Sequence, residues 1–355
     1  REKIELAALI AQDAERKFGE KGRVHFNVGG SQAVEDSLKL VRNFKKGKSL
    51  MFAFEGGYHG RTLGASSITS SYRYRRRYGH FGERAQFIEF PYHFRGPKGM
   101  SKEEYGELCV KKFARLFESE YNGVWDAKVG EAEYAAFYVE PIQGTGGYVI
   151  PPPNFFKGLK KVLDDHGILM VADEIQMGFY RTGKLWSIEH FGVQPDIVAL
   201  AKALGGGFPV GACVASAKAG AGMTVGSHGS TYGGNPLAMA VGLAAMEELR
   251  KPELMDHVRE VAGYFTQQFN GLKDRYPDVV LDIRGKGLLI GLKLATNNRE
   301  FMQHARDQHL LIAGGGDNCV RLLPPLTLTL DEAREAVEKL ERACEAARAK
   351  AKAAA

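Results

Sequence analysis

Between residues 23 and 216, short apolar, β-prone runs alternate with helical patterns, and this alternation most limits what the chain can fold into. The runs lie at 49–54, 86–90, 135–139, 168–172, 196–200 and 212–215, with helices at 33–44, 102–118 and 154–166 between them. Apolar strands interleaved with helices predict a mainly parallel sheet covered on both faces. The texture changes near Pro252. A long helix to about residue 273 precedes strands at 279–283 and 288–294, a further helix, a run at 320–323 and a final helix from Asp331. The expected fold class is α/β, with an N-terminal helix at 1–22, a large domain at 23–250 and a smaller α+β domain at 251–355. A length of 355 residues suffices for two such cores.

Charge and cysteine usage narrow the function classes. The net charge of +6 comes from 48 basic and 42 acidic residues spread along the chain, too mild a bias to imply a nucleic-acid partner. Residues 72–78 do interleave tyrosines with arginines, a pattern able to stack on bases. Its plainer reading is a solvated or subunit-contact surface, and no nucleic acid is expected. Cysteines at 109, 213, 319 and 344 show neither metal-ligand spacing nor the density of a disulfide framework, which points to a reducing, cytoplasmic setting. No apolar stretch approaches the ~20 residues needed to span a bilayer. The chain opens at Arg1, already inside an amphipathic pattern of Ile4, Leu6, Leu9 and Ile10, so a preceding segment is expected.

Five places carry chemistry. Lys202 follows the run 196–200 and precedes Gly205, Gly206 and Gly207, which sets an amine at the carboxyl end of a strand, where α/β sheets keep their crevices. Withdrawal from water would lower its pKa and free the amine for Schiff-base chemistry, although a lysine there also reads as a solvated loop residue. Gly29, Gly30 and Ser31 open a helix, with Ser31 where an N-cap would stand; this is either a phosphate cup or an ordinary capped helix. Tyr58 and His59 lie between glycines directly after a strand, displaying an aromatic ring and an imidazole, or simply packing on their neighbours. Asp173 ends the buried run 168–172 and needs a partner for its charge, be it a protonated ring nitrogen, an arginine or a metal. No second ligand at a suitable spacing supports the metal, so none is expected. Finally, residues 228–236 set hydroxyls beside glycines ahead of a small-residue helix, which suits an anion or a turn and cap. Gly205 to Gly211 lacks the spacing of a dinucleotide loop, and Pro209 interrupts the helix start. An amine, a phosphate site, an aromatic stacker and an acid for a ring nitrogen are together the parts that pyridoxal 5′-phosphate needs.

From Ile4 to Leu340 the chain resembles the class III aminotransferases of fold-type I, a pyridoxal-phosphate family. The stretches that carry the likeness are Val139-Glu140-Pro141-Ile142-Gln143-Gly144, residues 171–183 and His228-Gly229-Ser230-Thr231-Tyr232-Gly233-Gly234-Asn235-Pro236. The resemblance implies that Lys202 forms the Schiff base and Asp173 binds the pyridine nitrogen. It places Gln176 by the ring hydroxyl, Tyr58 and His59 at the ring, and Gly30 and Ser31 at the phosphate. It also implies a homodimer in which Thr231 reaches the neighbouring subunit's phosphate. The activity implied is ping-pong transfer of an amino group from an ω-amine or amino-acid donor to an oxo acid such as 2-oxoglutarate or pyruvate. Arg321 matches the family arginine that grips a carboxylate as a fork. Thr145 stands where members using 2-oxoglutarate and an ω-amine carry a glutamate that masks this arginine, and Gln32 replaces a frequent glutamate. The last of the three stretches and the carboxyl region look most like the ornithine and acetylornithine branch. A lyase, decarboxylase or aminomutase on the same scaffold is the alternative, and a non-catalytic binding protein a third, against which Lys202 and Asp173 both argue.

Overall fold

A computed structural model of the chain describes residues 1–78 and 85–354. The apolar runs form strands, and so do three shorter or more polar segments. In chain order the strands are Arg23–Asn27 (β1), Leu50–Phe54 (β2), Ala85–Ile88 (β3), a small hairpin of Trp125–Asp126 (β4) and Glu131–Ala132 (β5), then Tyr134–Val139 (β6), Leu169–Asp173 (β7), Ile197–Leu200 (β8) and Gly211–Ala215 (β9). Seven of them build one sheet in the order β1-β9-β8-β7-β6-β2-β3. From β3 to β8 every pairing is parallel, whereas β9 runs antiparallel to both β8 and β1. The ten residues between β8 and β9 allow a direct reversal, and parallel neighbours need a longer crossover. β1 escapes the search for apolar runs because Arg23, His25 and Asn27 alternate with Val24 and Phe26 on a strand at the sheet's edge.

Two-residue periodicity sorts the side chains onto two covered faces. Met51, Ala53, Ala136 and Tyr138 pack with Ala33 and Val34 of helix α2 (Gly30–Phe44). Phe52, Phe54 and Phe137 point the other way, into an aromatic layer. Phe52 meets Phe113 of the helix Lys102–Ala114 edge-on, at 5.2 Å between ring centroids, and Phe54 meets Phe155 and Phe156. That helix starts on a capping box in which Ser101 Oγ accepts from the Glu104 amide at 3.2 Å and the Glu104 carboxylate accepts from the Ser101 amide at 2.8 Å. It ends at Ala114, not at 118, and tightens into a 3-10 turn over Arg115–Phe117.

The chain divides into two compact units: Arg1–Pro141, Pro151–Gly178 and Trp186–Glu247 in the first, Ile142–Ile150, Phe179–Leu185 and Glu248–Ala355 in the second. Helix α1 (Glu2–Phe18) belongs to the first unit, where Phe18 stacks on Trp186 at 5.0 Å and Lys17 pairs with Glu189 at 3.0 Å. The second unit is built on Val280–Lys286 (β10), Leu289–Leu294 (β11), Ala313–Gly315 (β12) and Cys319–Leu322 (β13), in the order β10-β11-β13-β12 and antiparallel throughout. Phe265, Phe269, Phe301 and Leu340 fill its core from three flanking helices. The inserted segments 142–150 and 179–185 are tied in through backbone carbonyls. Arg284 Nη1 donates to Gly147 O and Arg181 Nη1 to Leu288 O, each at 3.2 Å.

Candidate active site

β7 and β8 are parallel neighbours, so their carboxyl ends open side by side; Asp173 lies in register with Ala199, three residues before Lys202. Alternation puts Asp173 on the same face as Leu169 and Val171, the face that α2 covers. Asp173 is 5% exposed, and its partner within this chain is the imidazole of His59. His59 Nδ1 lies 2.9 Å from Asp173 Oδ2, and Oδ1 accepts from the Ile175 amide at 3.1 Å. His59 is itself 2% exposed, so it is not displayed on its loop but buried behind the acid. Burial alone would lower the imidazole pKa. The hydrogen bond and charge of Asp173, with the charge of Glu140, outweigh that and leave it above the usual histidine range.

The glycine-rich helix start sits against the same turn. Gly29, not Ser31, is the N-cap of α2, and no side chain caps the helix there. Ser31 lies inside the first turn, so the first amides stay available for an anion. A Cβ on Gly30 would meet Ile175 Cγ2 at 3.0 Å, which places the helix start beside the residue that bonds Asp173. Gly60, with φ of 136°, brings the Tyr58 loop so close that a Cβ there would lie 2.5 Å from Ser31 Oγ. The Arg61 amide donates to that same Oγ at 3.3 Å.

Lys202 follows β8 in a 3-10 turn (Lys202–Gly205) with φ of 47°, a left-handed conformation uncommon for a residue with a Cβ. Its side chain is exposed in the single chain and not withdrawn from water, because the turn lies beyond the last sheet position at the open end. Tyr58 is half-buried; its amide donates to Glu140 Oε2 at 2.9 Å and its ring meets Tyr74 edge-on at 5.0 Å. Tyr74 thereby draws the arginine-rich segment toward the site, and the Arg61 guanidinium lies 4.6 Å over the same ring. Gln176 is half-buried in the turn after β7. Thr231 is exposed in a segment that holds both a turn, with Ser230 Oγ accepting from the Gly233 amide at 3.0 Å, and a cap, with Asn235 Oδ1 accepting from the Ala238 amide at 2.9 Å.

In the second unit Arg321 lies on β13. Its Nε donates to Gly314 O at 3.0 Å, its Nη1 to Gly144 O at 3.2 Å, and its guanidinium lies 5.5 Å from the Tyr148 ring centroid. Among the described residues no carboxylate pairs with it. Thr145 holds the neighbouring backbone in place, its carbonyl accepting from the Gly316 amide at 2.7 Å.

In the first unit, a buried acid, a helix start with uncapped amides, a cradle that one Cβ would fill and a lysine at an adjacent strand end fit a phosphorylated pyridine aldehyde. The family described as Aminotransferase class-III matches residues 2–344. The chain belongs to the class-III aminotransferases. Acetylornithine aminotransferase 2 of Caulobacter vibrioides is 48% identical over 334 residues, covering 92% of this chain and 75% of that protein. A leucine/methionine racemase of Thermococcus litoralis is 36% identical over 354 residues, covering 96% and 77%. Among solved structures, an amine transaminase from an uncultivated Pseudomonas species, in its pyridoxal-phosphate-bound form, is 30% identical with a TM-score of 0.86, covering 98% of this chain and 81% of that one. This class-III aminotransferase is thus a fold-type I, pyridoxal-phosphate-dependent enzyme that moves amino groups between amine or amino-acid donors and oxo acids by Schiff-base chemistry.

Sequence reasoning missed three buried acids around the site. Glu140 anchors the Tyr58 amide. Glu174 accepts from the Ser187 amide, the Ser187 hydroxyl and the Ile188 amide at 2.8–2.9 Å, which starts the 3-10 turn Ser187–Phe191; burial pushes its pKa up to about 7 against those bonds. Asp36 joins His228 to Asn27. A charged residue at an inward helix position was the available signal for Asp36; its partners, 9 and 192 residues away, left none. All four cysteines are free thiols, and no helix among the described residues is long and apolar enough to cross a membrane.

Proposed function

We propose that the enzyme takes the amino group of a carboxylate-bearing donor of the acetylornithine type and passes it to an oxo acid such as 2-oxoglutarate or pyruvate, with Lys202 as its Schiff-base lysine. The reading is carried by the two adjacent strand ends: a buried Asp173 closes β7, and Lys202, in a left-handed conformation, follows β8. Pyridoxal 5′-phosphate, when bound, supplies an electron-withdrawing ring for charge that develops on the donor carbon. Asp173 would pair with the ring nitrogen, and His59 fixes the direction of that carboxylate. Tyr58 would lie against the ring, Gln176 by its hydroxyl, and the amides of Gly30 and Ser31 at the phosphate. Lys202 Nζ would hold the cofactor's aldehyde carbon and, when free, would serve as the base that carries a proton from the donor carbon to the cofactor. Arg321, gripped by backbone carbonyls and not by an acid, would receive a substrate carboxylate, with Thr145 leaving it unmasked. Exposed Thr231 supports a homodimer in which it reaches the neighbouring subunit's phosphate, and the free thiols support a cytoplasmic setting.

The racemase relative favours a second reading, in which Lys202 returns the proton to the same donor carbon and inverts it. A half-reaction screen separates the two. Holoenzyme is mixed with acetylornithine, ornithine, leucine or methionine while the visible band of the bound cofactor is followed. Loss of the band with a donor and its return on adding 2-oxoglutarate are expected. Inversion of leucine without any oxo acid would establish the racemase instead, and a band that no amino compound alters would sink the transaminase proposal.

A further inference from the structure

We infer that Asp36 is a positioning residue for the cofactor's phosphate: one buried carboxylate that ties the helix start assigned to this subunit's phosphate to the segment whose Thr231 would reach the neighbouring subunit's. The inference rests on the phosphate reading above. Asp36 lies on α2 and is 6% exposed. Its Oδ2 accepts from Asn27 Nδ2 at 2.7 Å, and Asn27 Oδ1 in turn accepts from the Gly29 amide at 3.2 Å. Gly29 is the cap of α2, so this chain of bonds ends on the residue that sets the direction of the first free amides. The other carboxylate oxygen, Oδ1, lies 2.7 Å from His228 Nε2, and three residues beyond His228 stands Thr231. Asn27 is buried as well, and Gly211 leaves it room, since a Cβ at Gly211 would overlap Asn27 Oδ1 and crowd the Gly29 carbonyl.

The network needs a group that accepts at both ends. Lys39 Nζ lies 2.9 Å from His228 Nδ1, and an ammonium has protons only to donate. The Lys39 contact therefore assigns the His228 proton to Nε2, aimed at Asp36. An amide at position 36 would turn its NH2 toward either the Asn27 NH2 or the His228 N–H. Flipping Asn27 to compensate would set its NH2 against the Gly29 amide, donor against donor. Moving the His228 proton to Nδ1 would restore all three bonds only by giving up the Lys39 contact, and glycines at 29 and 30 contribute no side chains to hold the loop otherwise. His25 Nε2, 3.8 Å from Asp36 Oδ2, completes a set with the donor types of a metal site, but the ammonium of Lys39 on His228 and the nearby charge of Lys3 oppose a cation.

The test compares pyridoxal 5′-phosphate with pyridoxal, which lacks the phosphate. Full-length wild-type, Asp36→Asn, Asn27→Ala and doubly substituted chains are stripped of cofactor, and the affinity of each for both aldehydes is measured by the visible absorption of the bound form. Asp36→Asn and Asn27→Ala should each weaken pyridoxal 5′-phosphate by about tenfold or more, the size of a lost charge-assisted hydrogen bond. Pyridoxal should change by less than about twofold, and the double substitution should be no worse than Asp36→Asn, because both break one chain of bonds. Equal losses for the two aldehydes would make Asp36 a purely structural residue and overturn the inference, as would an unchanged affinity for the phosphorylated one. A wild-type chain that binds pyridoxal as tightly as its phosphate would defeat the phosphate reading itself, and the inference with it. Should Asp36→Asn not fold, Asn27→Ala decides the matter by the same comparison.

Discussion

Replacing His59 with phenylalanine tests how the buried acid is kept. The substitution fills the ring's space but removes the donor that lies 2.9 Å from Asp173 Oδ2. At that distance, with an effective dielectric of about 20, the attraction between imidazolium and carboxylate is roughly 6 kcal/mol. Desolvating two groups buried to 2% and 5% exposure takes back part of it. Removing one member of such a pair costs about 3–5 kcal/mol, because the survivor is left buried and unpaired. That is a large share of the ~5–15 kcal/mol by which a domain is stable. The effect also has a pH signature. His59 carries a pKa raised in the folded chain, with the bond and charge of Asp173 and the charge of Glu140 overcoming burial. A group whose folded value exceeds its unfolded value of about 6.5 contributes fully below that pH, and the contribution drains away as pH rises through the folded value. Urea unfolding of cofactor-free wild-type and His59→Phe chains from pH 6 to pH 9 should therefore show their widest gap at pH 6 and a narrowing one above it. A gap under about 1 kcal/mol at pH 6, or one that widens toward pH 9, would refute the pairing.

Three further outcomes follow from the same geometry. Gly60→Ala forces a Cβ to 2.5 Å from Ser31 Oγ at a φ of 136°, and should cost about 1–3 kcal/mol in thermal unfolding and weaken cofactor binding; an unchanged melting temperature would show that the loop gives way freely. Glu174, its pKa pushed up to about 7 by burial, binds its proton more tightly folded than unfolded, so the stability it contributes is present below about pH 4.5 and falls as pH rises to about 7, by roughly 3 kcal/mol in all. Glu174→Gln should flatten that slope in the unfolding curves, and an identical slope in both chains counts against the assignment. Arg321→Leu removes a fork for substrate carboxylates and should lower kcat/KM for 2-oxoglutarate about tenfold to a hundredfold while leaving the cofactor's visible band intact; a loss of the band, or no kinetic change, would argue against a substrate role.

Strand positions were legible wherever burial on both faces makes a run apolar, as in β2, β6, β7, β8 and β9. β1 and β12 were not, since one is an edge strand with a polar face and the other is Ala313-Gly314-Gly315, three residues with little side chain to pattern. The two insertions into the second unit were also hidden: 142–150 and 179–185 are each under ten residues, too short to show a periodicity of their own, and their attachment depends on carbonyls offered to Arg284 and Arg181. Helix α2 began three residues earlier than its apolar pattern, because glycine and serine in the first turn contribute nothing to a hydrophobic stripe.

By itself the sequence determined the α/β class, the strand ends carrying Asp173 and Lys202, and the glycines at 29, 30 and 60, because periodicity, charge at the end of an apolar run and missing side chains are local properties. Tertiary structure decided what those residues meet. It buried His59 behind Asp173 from 114 positions away, set Gly60 on Ser31, and joined Asn27, Asp36 and His228 into one network. Charges and hydrogen bonds act over a few ångströms of space, and chain separation carries no trace of them.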